Sequence, residues 1–326
     1  MSIPLSLIDF ATIFEGERPG DSFKRSVKTA QKAEELGFKR IWYAEHHNME
    51  HISSAAPAVL ISHIGAYTNT IRLGAGGVML PNHSPYVIAE QFGTLAELYP
   101  DRIDLGLGRA PGTDMNTLRA LRRDPQAAET FPQDVVELHS YLAGRSRLPG
   151  VNAIPGKGTN VPLYILGSSL FGAQLAAQLG LPYSFASHFA PMHLEHAVET
   201  YRKTYQPSEA HPEPYVIAAV NVTAADSREL AEEHFAKVAR KRVRSMAARG
   251  RRVTEEQLDA LMESPAGRQI VDMLRYTAIG TGAEVKEYLE GFTKTAQADE
   301  LMISLQSPDT EATSRNMEIL AEAWIS

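Results

Sequence analysis

Short apolar runs alternate with helical patterns along the whole chain, and this alternation limits the possible folds more than any single motif does. The runs cover residues 5–9, 40–44, 71–75, 103–107, 163–166, 183–186, 215–222 and 300–304. Each has the length and the β-branched or aromatic content of a short buried strand. Apolar side chains recur at helical spacing over 21–36, 56–67, 85–98, 133–143, 170–179, 191–205, 225–247 and 283–291, and a last such stretch covers 309–324. In the first of these, Asp21 is placed to cap the helix and Gly37 to end it. Eight strand–helix pairs predict an α/β fold, a (β/α)8 TIM barrel, with residues 1–326 forming one domain. A doubly wound sheet would carry Gly-x-Gly-x-x-Gly after its first strand, whereas Phe10-Ala11-Thr12-Ile13-Phe14 has nothing of the kind.

Long loops interrupt this pattern in two places. Residues 108–132 and 144–161 flank a helix between strands 4 and 5, and residues 248–280 separate strands 7 and 8. Loops of that size on a barrel are lids or interface arms, and 248–280, with Gly250-Arg251-Arg252, is the expected mobile lid.

Bulk properties narrow the function. No apolar stretch approaches the ~20 residues of a membrane span. The start Met1-Ser2-Ile3-Pro4-Leu5 lacks a basic region followed by a long apolar one, so no signal peptide is expected. The absence of cysteine excludes disulfides, thiolate catalysis and Cys-ligated zinc, and fits a cytoplasmic, reducing location. A net charge of −7, with Arg240-Lys241-Arg242-Val243-Arg244 the one long basic run, argues against nucleic acid as a partner.

Candidate chemistry gathers at the carboxyl ends of the expected strands, where a parallel barrel places its active site. Glu45-His46-His47 follows strand 2, and strand alternation aims one imidazole at the barrel mouth and the other at the surrounding helices. One of them suits a general base or hydrogen-bond donor near neutral pH. His47 and His51 are four apart, but the residues between them read as loop, so no metal site is expected. Gly74-Ala75-Gly76-Gly77 closes strand 3, and glycines this dense either let backbone approach a flat ligand or form a tight turn. Leu105-Gly106-Leu107-Gly108-Arg109 ends strand 4 with a guanidinium suited to a phosphate or carboxylate, and Arg119 follows ten residues on. Ser168-Ser169-Leu170 joins strand 5 to a helix whose first N–H groups would face an anion. Gly280-Thr281-Gly282 is a rival phosphate site, but Thr281 and Glu284 have capping-box spacing that explains it without a ligand.

Together these residues resemble the bacterial luciferase-like, flavin-dependent monooxygenases. Four stretches carry the resemblance: Trp42 to His47, Gly77-Val78-Met79-Leu80-Pro81-Asn82-His83-Ser84-Pro85, Gly108 to Asn116 running on to Arg119-Ala120-Leu121, and Leu166-Gly167-Ser168-Ser169. It implies a (β/α)8 barrel that binds FMN, with His46 as the catalytic histidine. Gly76-Gly77 would form a non-proline cis peptide against the flavin ring. Arg109, Arg119, Ser168, Ser169 and Leu170 would lie around the phosphate.

The implied reaction is that of reduced FMN with O2, through a C4a-(hydro)peroxyflavin, on a small organic substrate. Because no NAD(P)H motif is present, a separate flavin reductase is the implied partner. A homodimer is also implied, in contact through helices of the first half with small residues such as Ser62, Gly65 and Ala66. Luciferase α carries a cysteine where this chain has Gly108, and the 248–280 segment matches luciferase poorly, so neither light emission nor a substrate follows. Two other readings keep the fold: hydride transfer with the deazaflavin F420 or FMN, and flavin binding without turnover.

Overall fold

The computed structural model describes residues 2–248 and 251–325. Arg249 and Gly250, within the expected lid, lie outside the described residues. The strands are β1 (Leu5–Asp9), β2 (Arg40–Tyr43), β3 (Arg72–Met79), β4 (Ile103–Gly108), β5 (Leu163–Gly167), β6 (Tyr183–Phe185), β7 (Val216–Ala224), β8 (Thr277–Gly280) and β9 (Glu300–Leu305). All pairings are parallel. Strands β1 to β7 follow one another, β9 pairs with β7, and β1 pairs with β9, so eight strands close a barrel. The expected fold is present. Among the described residues no helix is long and apolar enough to cross a membrane.

β8 is a ninth strand that the pattern of apolar runs does not predict. It pairs with Asn221–Ala224 at the end of β7, along the edge that β6 leaves free beyond Phe185. The rest of the 248–280 segment is mostly helical. Glu255–Glu263 starts at a Thr254 cap, Pro265–Asp272 starts at a Ser264 cap, and both pack against the long helix Arg228–Ala248.

Two other expectations need correction. The first helix runs Pro19–Glu35 with Arg18 as its cap; Asp21 is its third residue and accepts a bond from the Arg18 backbone N–H at 3.1 Å. Proline at the first helical position sets that start, since it needs no N–H partner there. Gly65, expected in a contact between chains, is buried against its own chain, where a Cβ would meet the Tyr99 ring at 2.4 Å.

Strand alternation fills the barrel in layers. At its amino-terminal end, Arg40 donates to Asp104 at 2.6 Å and to Glu300 at 3.2 Å, while Ser6 and Tyr215 donate to Glu300 at 2.5 and 2.7 Å. Arg40, Asp104 and Glu300 are all buried, and each charge has an opposite one in contact, as burial demands. Above this floor Trp42, Tyr164, Ile217, Ala219 and Met302 form an apolar layer. Trp42 fits only because β3 is glycine-rich beside it. A Cβ at Gly74 would lie 2.7 Å from the indole, and one at Gly76 3.0 Å from the Trp42 Cβ. Above that layer is the mouth.

Candidate active site at the barrel mouth

His46 continues the inward series Arg40, Trp42, Ala44 along β2, and its backbone N–H is fixed to the Ser54 carbonyl at 3.1 Å. Its ring centroid lies 5.7 Å from that of Phe10, which follows β1. Phe10 in turn lies 6.0 Å from His188, which follows β6. Strands β2 and β6 are opposite one another in the ring, so these three side chains converge over the centre of the mouth. Nδ1 of His46 and both ring nitrogens of His188 are buried without a hydrogen-bond partner. Burial pushes the His46 imidazole below its ordinary pKa despite the neighbouring Glu45, and it pushes His188 down to about 3. Both rings are therefore neutral at pH 7, with polar atoms free for a ligand.

Glu45 and His47 point away from this centre. Glu45 is fully buried. Its carboxylate accepts from Nε2 of His47 and of His83 at 2.8 Å each, and from the Met79 N–H at 3.0 Å. Burial alone would raise its pKa, but those donors outweigh it and hold the carboxyl at about 2. Glu45 thus ties the end of β2 to the loop after β3. Next to it the His47 N–H reaches the Gly112 carbonyl at 3.3 Å and the Asn48 amide reaches Asp114 at 3.0 Å, which fastens the loop after β4.

The Gly76–Gly77 peptide is cis. It falls where the β3–β4 register shifts between Ala75 and Val78. A Cβ at Gly77 would meet the Gly106 carbonyl oxygen at 2.7 Å, so both the tight approach of β3 to β4 and the open backbone at the mouth require glycine.

Arg109, at the end of β4, is exposed and has no carboxylate partner among the described residues. Its guanidinium stacks on Phe171, 3.9 Å from the ring centroid. Phe171 is the second residue of the helix Leu170–Leu179, whose cap, Ser169, makes no side-chain bond to it. The structure therefore brings together a free cation, the Ser168 and Ser169 hydroxyls and an uncapped helix start at Leu170, a combination suited to a phosphate. Arg119 is exposed on the short helix Met115–Ala120, with Asn116 Oδ1 at 3.4 Å as its hydrogen-bond partner. Thr281 and Glu284 do form a capping box, with the Thr281 N–H 2.8 Å from the Glu284 carboxylate.

Sequence reasoning missed Phe10, His83 and His188. Phe10 follows β1 directly and His188 comes three residues after β6, as His46 comes three after β2, the positional signal that singled out His46. His83 owes its place to a carboxylate 38 residues away, which no local pattern reveals.

A parallel barrel with histidines and a free arginine at its mouth defines an enzyme-type site. The family profile of luciferase-like monooxygenases matches residues 5–298, and the chain belongs to that family, whose members are oxidoreductases. It is 43% identical over 321 residues to a luciferase-like monooxygenase of Escherichia coli strain K12, covering 98% of this chain and 96% of that one. Among solved structures, apo-MsnO8 matches with a TM-score of 0.88 and 32% identity, over 99% of this chain and 98% of that one. Two more distant structures share the fold over 99% of this chain. One is the oxygenating constituent of 3,6-diketocamphane monooxygenase from Pseudomonas putida in complex with FMN, covering 99% of this chain and 98% of that one (TM-score 0.74, 15% identity). The other is an F420-dependent secondary alcohol dehydrogenase with an F420–acetone adduct, covering 99% of both chains (TM-score 0.71, 14% identity).

Proposed function

We propose that this protein is an FMN-dependent monooxygenase acting on a small organic substrate. When bound, reduced FMN would supply the oxygen chemistry, reacting with O2 to give a C4a-(hydro)peroxyflavin. The observation that carries this reading is the pairing, at one mouth, of a neutral His46 with a free Nδ1 and an anion cradle at Arg109 and Leu170. The cradle suits the FMN phosphate, the Gly76–Gly77 backbone offers a surface without side chains for a flat ring, and His46 can hold or pass a proton at the reacting atom. Ser168 and Ser169 add hydroxyl donors to the phosphate, and Arg119 contributes from the edge. Phe10 helps to exclude water from the centre.

Reduced flavin would come from a separate reductase, since no dinucleotide motif is present. Residues 248–280 would act as a lid on the β7 side. Two chains would associate through the helices Pro57–Gly65 and Pro85–Leu98, where Val59, Val87 and Leu98 are exposed.

Anaerobic titration of the protein with photoreduced FMN, and with reduced F420 in parallel, tests the cofactor directly. Tighter binding of FMN, weakened at least tenfold by Arg109→Ala, is the expected result. A preference for F420 would make hydride transfer the better reading, with His46 as its acid or base.

A further inference from the structure

Strand alternation sets further inward residues above the apolar layer of Trp42, Tyr164, Ile217, Ala219 and Met302. Phe10 continues Ser6 and Ile8 on β1, Asn221 continues Ile217 and Ala219 on β7, and Gln306 continues Met302 and Ser304 at the end of β9. A polar chain runs through this level. Gln306 Nε2 donates to Ser304 Oγ at 2.7 Å and to Asn221 Oδ1 at 2.9 Å, and Asn221 Nδ2 donates to the His188 carbonyl at 2.7 Å. One residue earlier, Ser187 is buried and donates from its hydroxyl to the Ala219 carbonyl. The segment after β6 is therefore clamped to β7 at two successive residues.

That clamp uses only the backbone of His188. The residue is 6% exposed, yet neither ring nitrogen has a hydrogen-bond partner among the described residues. The imidazole meets two aromatic rings instead: Phe10 at 6.0 Å between centroids and Phe189, edge-on at 85°, at 4.9 Å. Phe189 is exposed, and Phe10 leads on to His46 at 5.7 Å. Buried without a carboxylate against it, the His188 ring stays neutral and offers one N–H donor and one acceptor nitrogen. A buried polar group held in place with no partner is costly, and such groups mark places where a ligand completes the bonding. In the closed ring of strands β7 is opposite β3, so this aromatic wall faces the Gly76–Gly77 backbone across the mouth.

We propose that His188 is a substrate-binding residue of this mouth, hydrogen-bonded to an uncharged polar group whose apolar or aromatic body rests against Phe10 and Phe189. An ion seated against two neutral imidazoles and two apolar rings would lack an opposite charge in contact, so the polar group is a neutral one. Held from behind by Asn221, the ring orients the substrate toward His46, on the far side of Phe10. The assignment deepens the monooxygenase reading by naming what binds opposite the flavin surface, and it rests on the mouth being the substrate site.

NMR titration of the protein, with and without bound FMN, tests this without any turnover. The probes are acetophenone against ethylbenzene and cyclohexanone against cyclohexane, pairs in which a carbonyl replaces CH2 while the outline is kept. The affinity ratio of ketone to hydrocarbon should fall about 3- to 10-fold in His188→Phe, the loss of one neutral hydrogen bond. His188→Asn or His188→Gln, whose amides stand in for Nδ1 or Nε2, should restore part of it. In the wild-type protein the ring 15N signals of His188 should shift with the ketones and not with the hydrocarbons. A ratio that survives His188→Phe, or one that both amide variants fail to restore, would overturn the proposal, as would the absence of any ketone binding. Benzoate should bind more weakly than acetophenone, and tighter binding would overturn the uncharged class. Should His188→Phe fail to fold, the wild-type 15N shifts and the two amide variants decide. FMN affinity, measured on the same samples, keeps the two readings apart. A ketone ratio that depends on His188 without FMN binding would sink the flavin reading alone. FMN binding with no such ratio would sink the His188 assignment alone.

Discussion

The guanidinium of Arg109 stacks on the ring of Phe171, 3.9 Å from its centroid, and this contact couples the end of β4 to the start of the helix after β5. Phe171 holds the cation beside N–H groups that no side chain caps. Arg109→Ala should weaken FMN binding about 10- to 100-fold, the worth of a charge-assisted phosphate contact. Arg119→Ala should weaken it less than threefold, because Arg119 is exposed on a short helix and contributes only from the edge. Flavin fluorescence titration of both variants measures the difference, and equal losses would contradict the assignment.

Glu45 makes a pH prediction. Its carboxyl is held at about 2, below the ordinary 4.5. A carboxylate with a depressed folded pKa stabilises the protein fully above its unfolded value and loses that contribution as pH falls toward the folded one. Stability measured by urea denaturation should therefore drop between about pH 5 and pH 2. Glu45→Gln should cost roughly 2–3 kcal/mol at pH 7 and flatten that drop. An unchanged pH profile in the variant would show that Glu45 does not carry this dependence.

Gly77 tests the tight approach of β3 to β4. A methyl group there would lie 2.7 Å from a backbone oxygen that cannot rotate away. Gly77→Ala should destabilise by about 1–3 kcal/mol, the usual range for overpacking. Gly291→Ala, where nothing lies within 4 Å of the added carbon, is the control and should be neutral or slightly stabilising in its helix.

The floor of the barrel should be separable from its mouth. Arg40 balances two buried carboxylates, Asp104 and Glu300. Arg40→Met should cost about 3–5 kcal/mol by removing the one buried cation between them, since the cations that remain, Arg72 at Asp104 and Lys39 at Glu300, are only partly buried. FMN affinity of the folded fraction should stay within threefold of wild type. A large loss of affinity would mean that the floor and the mouth are coupled.

The sequence made the repeating strand–helix unit readable because buried parallel strands and amphipathic helices leave different apolar periods. The helices Pro85–Leu98 and Leu170–Leu179 begin and end where those periods do. Strand β8 escaped because Thr277-Ala278-Ile279-Gly280 holds a single large apolar residue and pairs only with the end of β7. Asp21 looked like a cap because caps and third-position carboxylates share residue types; Pro19 was the better signal.

The site was readable where chemistry sat on strand ends, as at His46 and Arg109, and hidden where it depended on partners distant in sequence. Nothing local links His83 to Glu45.

The most direct test of the central claim mixes the protein, loaded anaerobically with reduced FMN, with O2 in a stopped-flow spectrometer. The account predicts a transient spectroscopically distinct from reduced and oxidised flavin, shorter-lived in His46→Ala although that variant binds FMN as tightly as wild type. Direct reoxidation with no transient in the wild-type protein would contradict it.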